Sequence, residues 1–339
     1  MIIDAHTHYH ASGVLASVFG HLYGHTYGDF KTAKGDDDAH FRIMEERGYD
    51  MQVISQPPFT QAHDQTPHIG IGQAKAFNDS MAKGVAESNG RFRFVGSMPL
   101  QDIPASVKEM ERAKGLGAVG SMLNVDISRR GTGPMPDEEY WYPIYEAASK
   151  HDIPLFVHPG SSAMPRHSKY SLALHLGFLF GETEFIAGFI YGKVFEKFPN
   201  LKILVSHGGG AIPYQVGRFQ ASTCPDLKGN KGPRIPIEGD FISNLRKMYF
   251  DTCMYSQEGI ECLIKVVGHS QVLFGTECPG MGMAKRPDGR SYDNVEDYVR
   301  GIDWLTEQQR QDIFCNNAAN FFKIDVKSSA KTRLAGAAQ

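Results

Sequence analysis

Short runs of β-branched and aromatic residues recur along the whole chain, separated by longer segments in which apolar residues return every three or four positions. This alternation predicts repeated strand–helix units and therefore a parallel sheet. The pattern predicts eight strands, the number that a closed barrel requires. The predicted strands are Ile2–Ala5, Met51–Gln56, Arg93–Met98, Ala118–Asn124, Pro154–His158, Lys202–His207, Met248–Thr252 and Gln271–Thr276.

Helices are predicted between the strands, and the fold class that results is α/β, a (β/α)8 TIM barrel. The clearest examples are Ala74–Glu87, Ala105–Lys114, Glu138–Lys150, Glu182–Phe198 and Gly259–Val267. An open Rossmann-type sheet is the rival fold. A Gly-x-Gly-x-x-Gly motif would follow its first strand, whereas a histidine pair stands at that place here. The barrel is therefore the better interpretation.

The length of the chain fits one elaborated barrel, although 339 residues would also fit two ordinary domains. We predict a single barrel domain over residues 1–326 and a flexible tail over residues 327–339. Loop insertions are expected at about residues 11–38 and 160–181, which are rich in Gly, Ser and His. In a barrel they would lie at the carboxyl ends of the strands, where active sites form.

The composition excludes several classes of protein. With 41% hydrophobic and 22% charged residues, the chain is expected to be soluble and globular. A net charge of −3 and scattered basic residues disfavour nucleic-acid binding. We found no uninterrupted apolar run of the ~18 residues that a membrane span needs, and the N-terminus does not look like a secretory signal. We therefore expect a cytoplasmic protein without a membrane partner.

The five cysteines indicate neither disulfide bonds nor a zinc knot, because they are odd in number, widely spaced and without a Cys-x-x-Cys pair. Cys278 stands out because it adjoins the acidic residue Glu277. Packing is the favoured interpretation for this thiol, ahead of reactivity.

A His-x-His pair, His6 and His8, stands at the end of the first strand. The two-residue period of a strand points both imidazoles to the same side, which on a barrel strand can be the interior. Two buried imidazoles are costly without partners, and neutral imidazole is a common metal ligand. The pair therefore predicts a metal site at this end of the barrel.

Three further polar residues end later strands. His158 ends the fifth, His207 ends the sixth, and Glu277 follows the eighth. Because the carboxyl ends of parallel barrel strands share one rim, all five groups are expected to converge. Any one of these histidines by itself could simply be satisfied by a backbone carbonyl, but convergence of all five favours a metal site.

The motifs Asp4-Ala5-His6-Thr7-His8, His158 and the segment from Phe195 to Gly210 resemble the amidohydrolase superfamily over nearly the whole chain. The similar branch contains aminocarboxymuconate semialdehyde decarboxylases, resorcylate decarboxylases and 4-oxalomesaconate hydratases. The resemblance implies that His6, His8 and His158 are metal ligands and that His207 is a general base or acid near the metal. A further metal ligand is the alternative role for His207.

The eighth-strand ligand departs from the decarboxylase pattern. The resemblance implies an Asp there, whereas this chain has Glu277, which looks more like the hydratase. Binuclear relatives carry a lysine on the fourth strand, and Ala118–Asn124 has none, so one ion is expected. Three histidines and a carboxylate suit Zn²⁺, with Mn²⁺ or Fe²⁺ also open.

Candidate substrate-binding residues lie outside the strands. The resemblance implies that Arg218 clamps a substrate carboxylate, sometimes from a neighbouring subunit, and so implies a homodimer or higher homo-oligomer. A surface salt bridge is the alternative role for Arg218. Arg286, with Lys285 and Arg290, could form a second anionic subsite. Among loop residues, His10, Tyr170 and His175 are weaker candidates.

The leading functional hypothesis is a metal-dependent lyase that acts on a small carboxylated, aromatic-derived acid and adds water to an oxo-dicarboxylate of the 4-oxalomesaconate type. In it, His207 and Glu277 are the catalytic residues. Non-oxidative decarboxylation of a hydroxybenzoate or muconate semialdehyde is the second hypothesis. Hydrolysis of a lactone, ester or amide is the third, and a non-enzymatic binding protein is the remaining class.

Overall fold

The computed structural model confirms the predicted barrel: eight parallel strands pair in sequence order from the first to the last. The strands are β1 (Ile3–His8), β2 (Met51–Ser55), β3 (Phe92–Gly96), β4 (Gly120–Asn124), β5 (Leu155–His158), β6 (Ile203–Val205), β7 (Tyr249–Asp251) and β8 (Val272–Leu273). The structure describes residues 1–9, 36–61, 63, 66–128, 130–160, 162–223 and 234–326. His10, Cys224, the predicted tail and residues 11–35 of the first predicted insertion lie outside them.

The last strand returns to the first and nearly closes the barrel. The Ala5 amide donates to the Phe274 carbonyl at 2.8 Å, and the Glu277 amide donates to the His6 carbonyl at 2.7 Å. Between them, the Thr276 hydroxyl donates to the buried Asp4 carboxylate at 2.7 Å. These bonds place Glu277 directly beside the end of β1.

The helices surround the barrel, as the apolar periodicity predicts. They are α1 (Asp36–Arg47), α2 (Pro67–Glu87), α3 (Ile103–Gly115), α4 (Tyr142–His151), α5 (Leu172–His175), α6 (Gly177–Tyr191), α7 (Val194–Lys197), α8 (Ile212–Thr223), α9 (Phe241–Leu245), α10 (Gln257–Val267), α11 (Val295–Gly301), α12 (Glu307–Gln311) and α13 (Asn317–Phe322). The single helix predicted over Glu182–Phe198 is wrong. It is divided between α6 and α7, because Lys193 adopts a left-handed φ of 60°. The region predicted as an insertion at about residues 160–181 also contains α5 and the start of α6.

One segment, Leu172–Tyr191, is long and apolar enough to cross a membrane, with a mean hydropathy of 1.3, and 28% of it is buried. Phe185, Ile186 and Phe189 of this segment are buried in the layer between the barrel and the helices. Packing against the barrel therefore accounts for the apolar character of this face of α6.

Apolar side chains fill the amino-terminal half of the barrel. Ile3, Met51 and Leu204 belong to one buried cluster with Phe321 and Phe322 of α13, which covers that end. The carboxyl ends of the strands carry polar groups instead. The fold thus separates an apolar floor from a polar rim, and the candidate site lies at the rim.

Candidate metal centre

An irregularity in β1 turns the histidine pair into the barrel. Asp4 pairs with Gln52 while Thr7 pairs with Ile54, so β1 contains one residue more than β2 over this stretch. Such a bulge reverses which side chains of the strand point into the barrel and which point outward. Ile3 and Ala5 accordingly pack in the apolar interior cluster, and beyond the bulge the His6 ring contacts the interior Phe156 ring with 5.0 Å between centroids.

The four residues predicted as ligands meet at the rim. Ligand atoms of His6, His8, His158 and Glu277 all lie within 4.8 Å of one another. His6 Nε2 is 3.3 Å from His8 Nε2. Glu277 Oε1 is 3.5 Å from His8 Nε2 and 3.9 Å from His158 Nε2. Imidazole nitrogens and a carboxylate oxygen that converge so closely form a set that a divalent cation can hold together.

Each histidine of this set is oriented through its other ring nitrogen. The Nδ1 partners are Asp251 Oδ2 at 2.7 Å for His6, Ser55 Oγ at 3.1 Å for His8 and the Pro159 carbonyl at 2.8 Å for His158. The Ser55 hydroxyl donates its proton to the Thr7 carbonyl, so it accepts from His8. With Nδ1 protonated, each Nε2 lone pair is available to a metal. His158 Nε2 is buried and has no hydrogen-bond partner among the described residues.

The electrostatics of the cluster favour neutral imidazole and ionised carboxylate. Burial, and then neighbouring histidines, holds the pKa of His6 and of His158 well below the usual range. Burial alone would raise the pKa of Glu277, but contacts with His207 and His8 outweigh it and lower that pKa well below the usual range. Both protonation states are those that metal ligands need, so the residues fit one divalent ion.

Glu277 is held by contacts on both carboxylate oxygens. It follows β8 with a left-handed φ of 57°. While Oε1 faces the histidines, Oε2 accepts a hydrogen bond from Tyr255 at 2.8 Å. The Tyr255 hydroxyl therefore limits which way the carboxylate turns.

A second group of candidate ligands, His6, His207 and Cys253, shares one histidine with the first. Burial, followed by the charge of Glu277, raises the pKa of the Cys253 thiol well above its usual range. A protonated thiol is a poor ligand. The set that contains Glu277 is therefore the better metal site.

His207 lies beside the cluster, on a glycine-rich turn after β6. Its Nε2 is 3.6 Å from Glu277 Oε1. A side chain at Gly209, where φ is 79°, would meet Phe250 at 2.8 Å, so only glycine fits there. The His207 ring stacks on Phe178 with 5.5 Å between ring centroids. The turn thus presents Nε2 to the centre while the apolar ring of Phe178 covers one face.

Glu182 of α6 is the partner of His207 on the other side. Its Oε1 lies 2.5 Å from His207 Nδ1 and accepts from the Ser206 hydroxyl at 2.5 Å. Burial alone would lower the pKa of His207, but the carboxylates of Glu182 and Glu277 outweigh it and raise that pKa well above the usual range. His207 is thus arranged to keep a proton on Nδ1 and to exchange one at Nε2.

Among the described residues, no hydrogen bond, ion pair or ring contact joins the four predicted substrate-binding residues to this cluster. Arg218 is exposed on α8, His175 is exposed at the end of α5, and Tyr170 is 84% exposed. The Arg286 guanidinium lies 3.5 Å from both Asp288 and Asp297 and over the Tyr298 ring. Although these carboxylates lie near it, the buried Nε and Nη2 of Arg286 make no hydrogen bond with the described residues. The substrate roles of all four residues stay predictions.

The residues that orient the candidate ligands were not among those predicted from the sequence. Asp251 carries a detectable signal, since it is an acid at the end of the predicted seventh strand. Its burial raises its pKa to about 6, and it accepts from the Gly208 and Cys253 amides at 3.3 and 3.1 Å. Glu182 stands in an apolar helix, which is a weaker signal.

A barrel of parallel strands, with a His-x-His pair on the first and further histidines and an acid after later ones, defines a metal-dependent enzyme of the TIM-barrel class. The amidohydrolase family model matches residues 3–324. The chain belongs to the amidohydrolase family.

Similar proteins include hydratases and a decarboxylase. The chain is 29% identical to the 2-keto-4-carboxy-3-hexenedioate hydratase of Sphingobium sp., over 98% of this chain and 99% of the relative. The solved 4-oxalomesaconate hydratase of Rhodopseudomonas palustris is 27% identical with a TM-score of 0.76, over 98% of this chain and 99% of that one. The 2-amino-3-carboxymuconate-6-semialdehyde decarboxylase of Dictyostelium discoideum is 26% identical, over 86% of this chain and 77% of the relative.

Replacing Glu277 by glutamine tests its place in the metal centre. We expect Glu277→Gln to retain less metal than the wild type, because a neutral amide is a poorer ligand for a divalent ion. Elemental analysis after zinc loading and dialysis measures the effect. The control is Glu258→Gln, at an exposed position. Undiminished metal in Glu277→Gln contradicts the assignment.

Replacing Glu182 by glutamine tests how His207 is held. Loss of the carboxylate should lower the pKa of His207 in the metal-free protein, because the negative charge that stabilises its protonated ring is removed. Histidine ¹H–¹⁵N correlation spectra recorded across a pH titration report this value. Glu184→Gln, on an exposed face of the same helix, should leave it unchanged. An unaltered titration of His207 in Glu182→Gln would show that Glu182 does not control its charge.

Proposed function

We propose that this enzyme is a hydratase that adds water across a conjugated carbon–carbon double bond of an oxo-dicarboxylate of the 4-oxalomesaconate type. The observation that carries the proposal is Glu277 at the eighth-strand position, held by Tyr255 and facing His207. Full-length similarity to two hydratases supports the same reaction.

We assign the cluster of His6, His8, His158 and Glu277 to one zinc ion, with manganese or iron as the alternatives that metal reconstitution distinguishes. When bound, such an ion supplies Lewis-acid polarisation of an oxygen ligand. A single ion agrees with β4, where Gly120–Asn124 contains no lysine. Asp251 and Ser55 keep two of the imidazoles oriented toward the centre.

The residues around the centre provide for the proton transfers of hydration. Addition of water puts hydroxyl on one carbon and a proton on its neighbour, so one proton must be taken from water and one must be delivered. His207 Nε2 faces the centre and exchanges a proton there, while Glu182 stabilises the charged imidazole. Glu277, ionised and turned toward the same space, is the second catalytic group that we assign.

Non-oxidative decarboxylation is the second candidate, favoured by the similarity to a decarboxylase. It would use the same cluster, with His207 delivering a proton to the carbon that loses carbon dioxide. Hydrolysis of a lactone, ester or amide is the third. Cytoplasmic location, a role in the catabolism of aromatic compounds and carboxylate binding by Arg218 from a neighbouring subunit belong to the same proposal.

Mass spectrometry of reaction mixtures tests the proposed function. Zinc-loaded protein is incubated with a panel of oxo-dicarboxylates, muconate-type acids and hydroxybenzoates, with Glu277→Gln as control. Hydration predicts a product heavier by one water, formed from an oxo-dicarboxylate by the wild type and not by the control. A product lighter by one carbon dioxide would reject hydration in favour of decarboxylation.

Replacing His207 by asparagine separates catalysis from metal binding. We expect His207→Asn to keep most of the metal yet to turn over at least ~100-fold more slowly, the size expected for lost acid–base catalysis. Turnover and elemental analysis are measured on the same preparation. His68→Asn, at an exposed position on α2, should retain wild-type turnover. Loss of the metal from His207→Asn would instead identify His207 as a ligand.

A further inference from the structure

A pocket of about 580 Å³ opens in the loops that follow β4 and β5. The loop after β4 forms most of its wall, and His63 and Ala163 complete it. Its volume is within the usual range for small-molecule sites, about 300–1,000 Å³. None of the site residues predicted from the sequence lines this pocket.

Asn124 connects this pocket to the metal centre. At the end of β4 it pairs with His158, and its Nδ2 donates to the His158 carbonyl at 3.0 Å. On the pocket side, its Oδ1 lies 2.9 Å from His63 Nε2. The same ring nitrogen is 2.6 Å from Gln61 Oε1. His63 is thus held against the strand end and lies two hydrogen bonds from a candidate metal ligand.

The loop after β4 is fixed by its own hydrogen bonds. Asp126 accepts from the amides of Ser128 at 2.9 Å and Gly131 at 2.6 Å. The Ser128 hydroxyl accepts from the amides of Arg130 at 3.1 Å and Thr132 at 3.0 Å. Because backbone amides occupy the Asp126 carboxylate, the loop orients Arg130 without using its guanidinium.

Arg130 lines the pocket, is exposed, and makes no side-chain hydrogen bond or ion pair with the described residues. By contrast, Arg47 and Arg112 are paired with carboxylates. An unpaired guanidinium on a fixed loop offers a planar donor fork that matches a carboxylate in two places.

We propose that Arg130 binds the second carboxylate of the substrate, the one remote from the metal, with His63 and Thr132 beside it in the pocket. The assignment rests on the proposed function, because it requires an acid with two carboxylates. One carboxylated end would lie at the metal centre and the other against Arg130. This pocket would then select dicarboxylates over monocarboxylates of the same length.

Isothermal titration calorimetry on zinc-loaded protein tests the subsite without turnover. The probes are glutarate, adipate and pimelate, with hexanoate as the monocarboxylate. We expect the best dicarboxylate to bind the wild type at least about 10-fold more tightly than hexanoate. The reason is that only a second carboxylate forms charged hydrogen bonds with the Arg130 guanidinium. Arg130→Gln should lose this preference and bind hexanoate unchanged. Arg42→Gln, an exposed arginine of α1, should behave as the wild type.

A dicarboxylate preference that survives in Arg130→Gln overturns the subsite and leaves the proposed hydration standing. Equal binding of both acid classes by the wild type also overturns it. If the preference follows Arg130 but the mass of the product shows loss of carbon dioxide, the subsite is kept and hydration is rejected.

Discussion

The irregularity in β1 is the constraint on which the rest of the site depends. Below it, Ile3 and Ala5 join the apolar interior; beyond it, His6 and His8 are turned into the barrel. Buried imidazoles destabilise a fold unless polar partners satisfy them. Ser55, at the end of the adjacent strand β2, and Asp251, at the end of β7, provide those partners and at the same time point the free nitrogens at one place.

The two ends of the barrel have different roles. Phe321 and Phe322 of α13 close the amino-terminal end with apolar packing. At the other end, the three candidate histidine ligands lie on strands, and the segments after the strands carry Glu277, His207 and Arg130. Side chains on strands are positioned more precisely than side chains on loops, whereas loops vary more and often determine which ligand is bound.

The strands and most candidate ligands are predictable from the sequence because each has a local pattern. The eight strands are visible as apolar runs, and His158 and His207 directly follow such runs. The strand limits are less predictable, as β8 shows: the strand ends at Leu273, before the predicted end at Thr276, although backbone hydrogen bonds to β1 continue at Phe274 and Glu277. Tertiary hydrogen bonds, which no local pattern reveals, end that strand early.

The residues that periodicity could not find are those whose roles depend on distant partners. Glu182 comes from a helix, and only the fold brings it to His207. Arg286 lies 3.5 Å from Asp288 and Asp297, and its place in an anion subsite stays a prediction. The Arg130 guanidinium is not paired with a carboxylate among the described residues. Only the structure reveals this, because the sequence does not show which side chains are paired.

We infer that one ion is held by three imidazoles and the Glu277 carboxylate. X-ray absorption spectroscopy of zinc-loaded protein, combined with elemental analysis, identifies the neighbours of the ion and the number of ions. We expect one zinc per chain with only nitrogen and oxygen neighbours, at about 2.0–2.2 Å, and imidazole scattering. A sulfur neighbour at about 2.3 Å would place the ion on Cys253 instead, and two zinc ions per chain would likewise rule out this single centre.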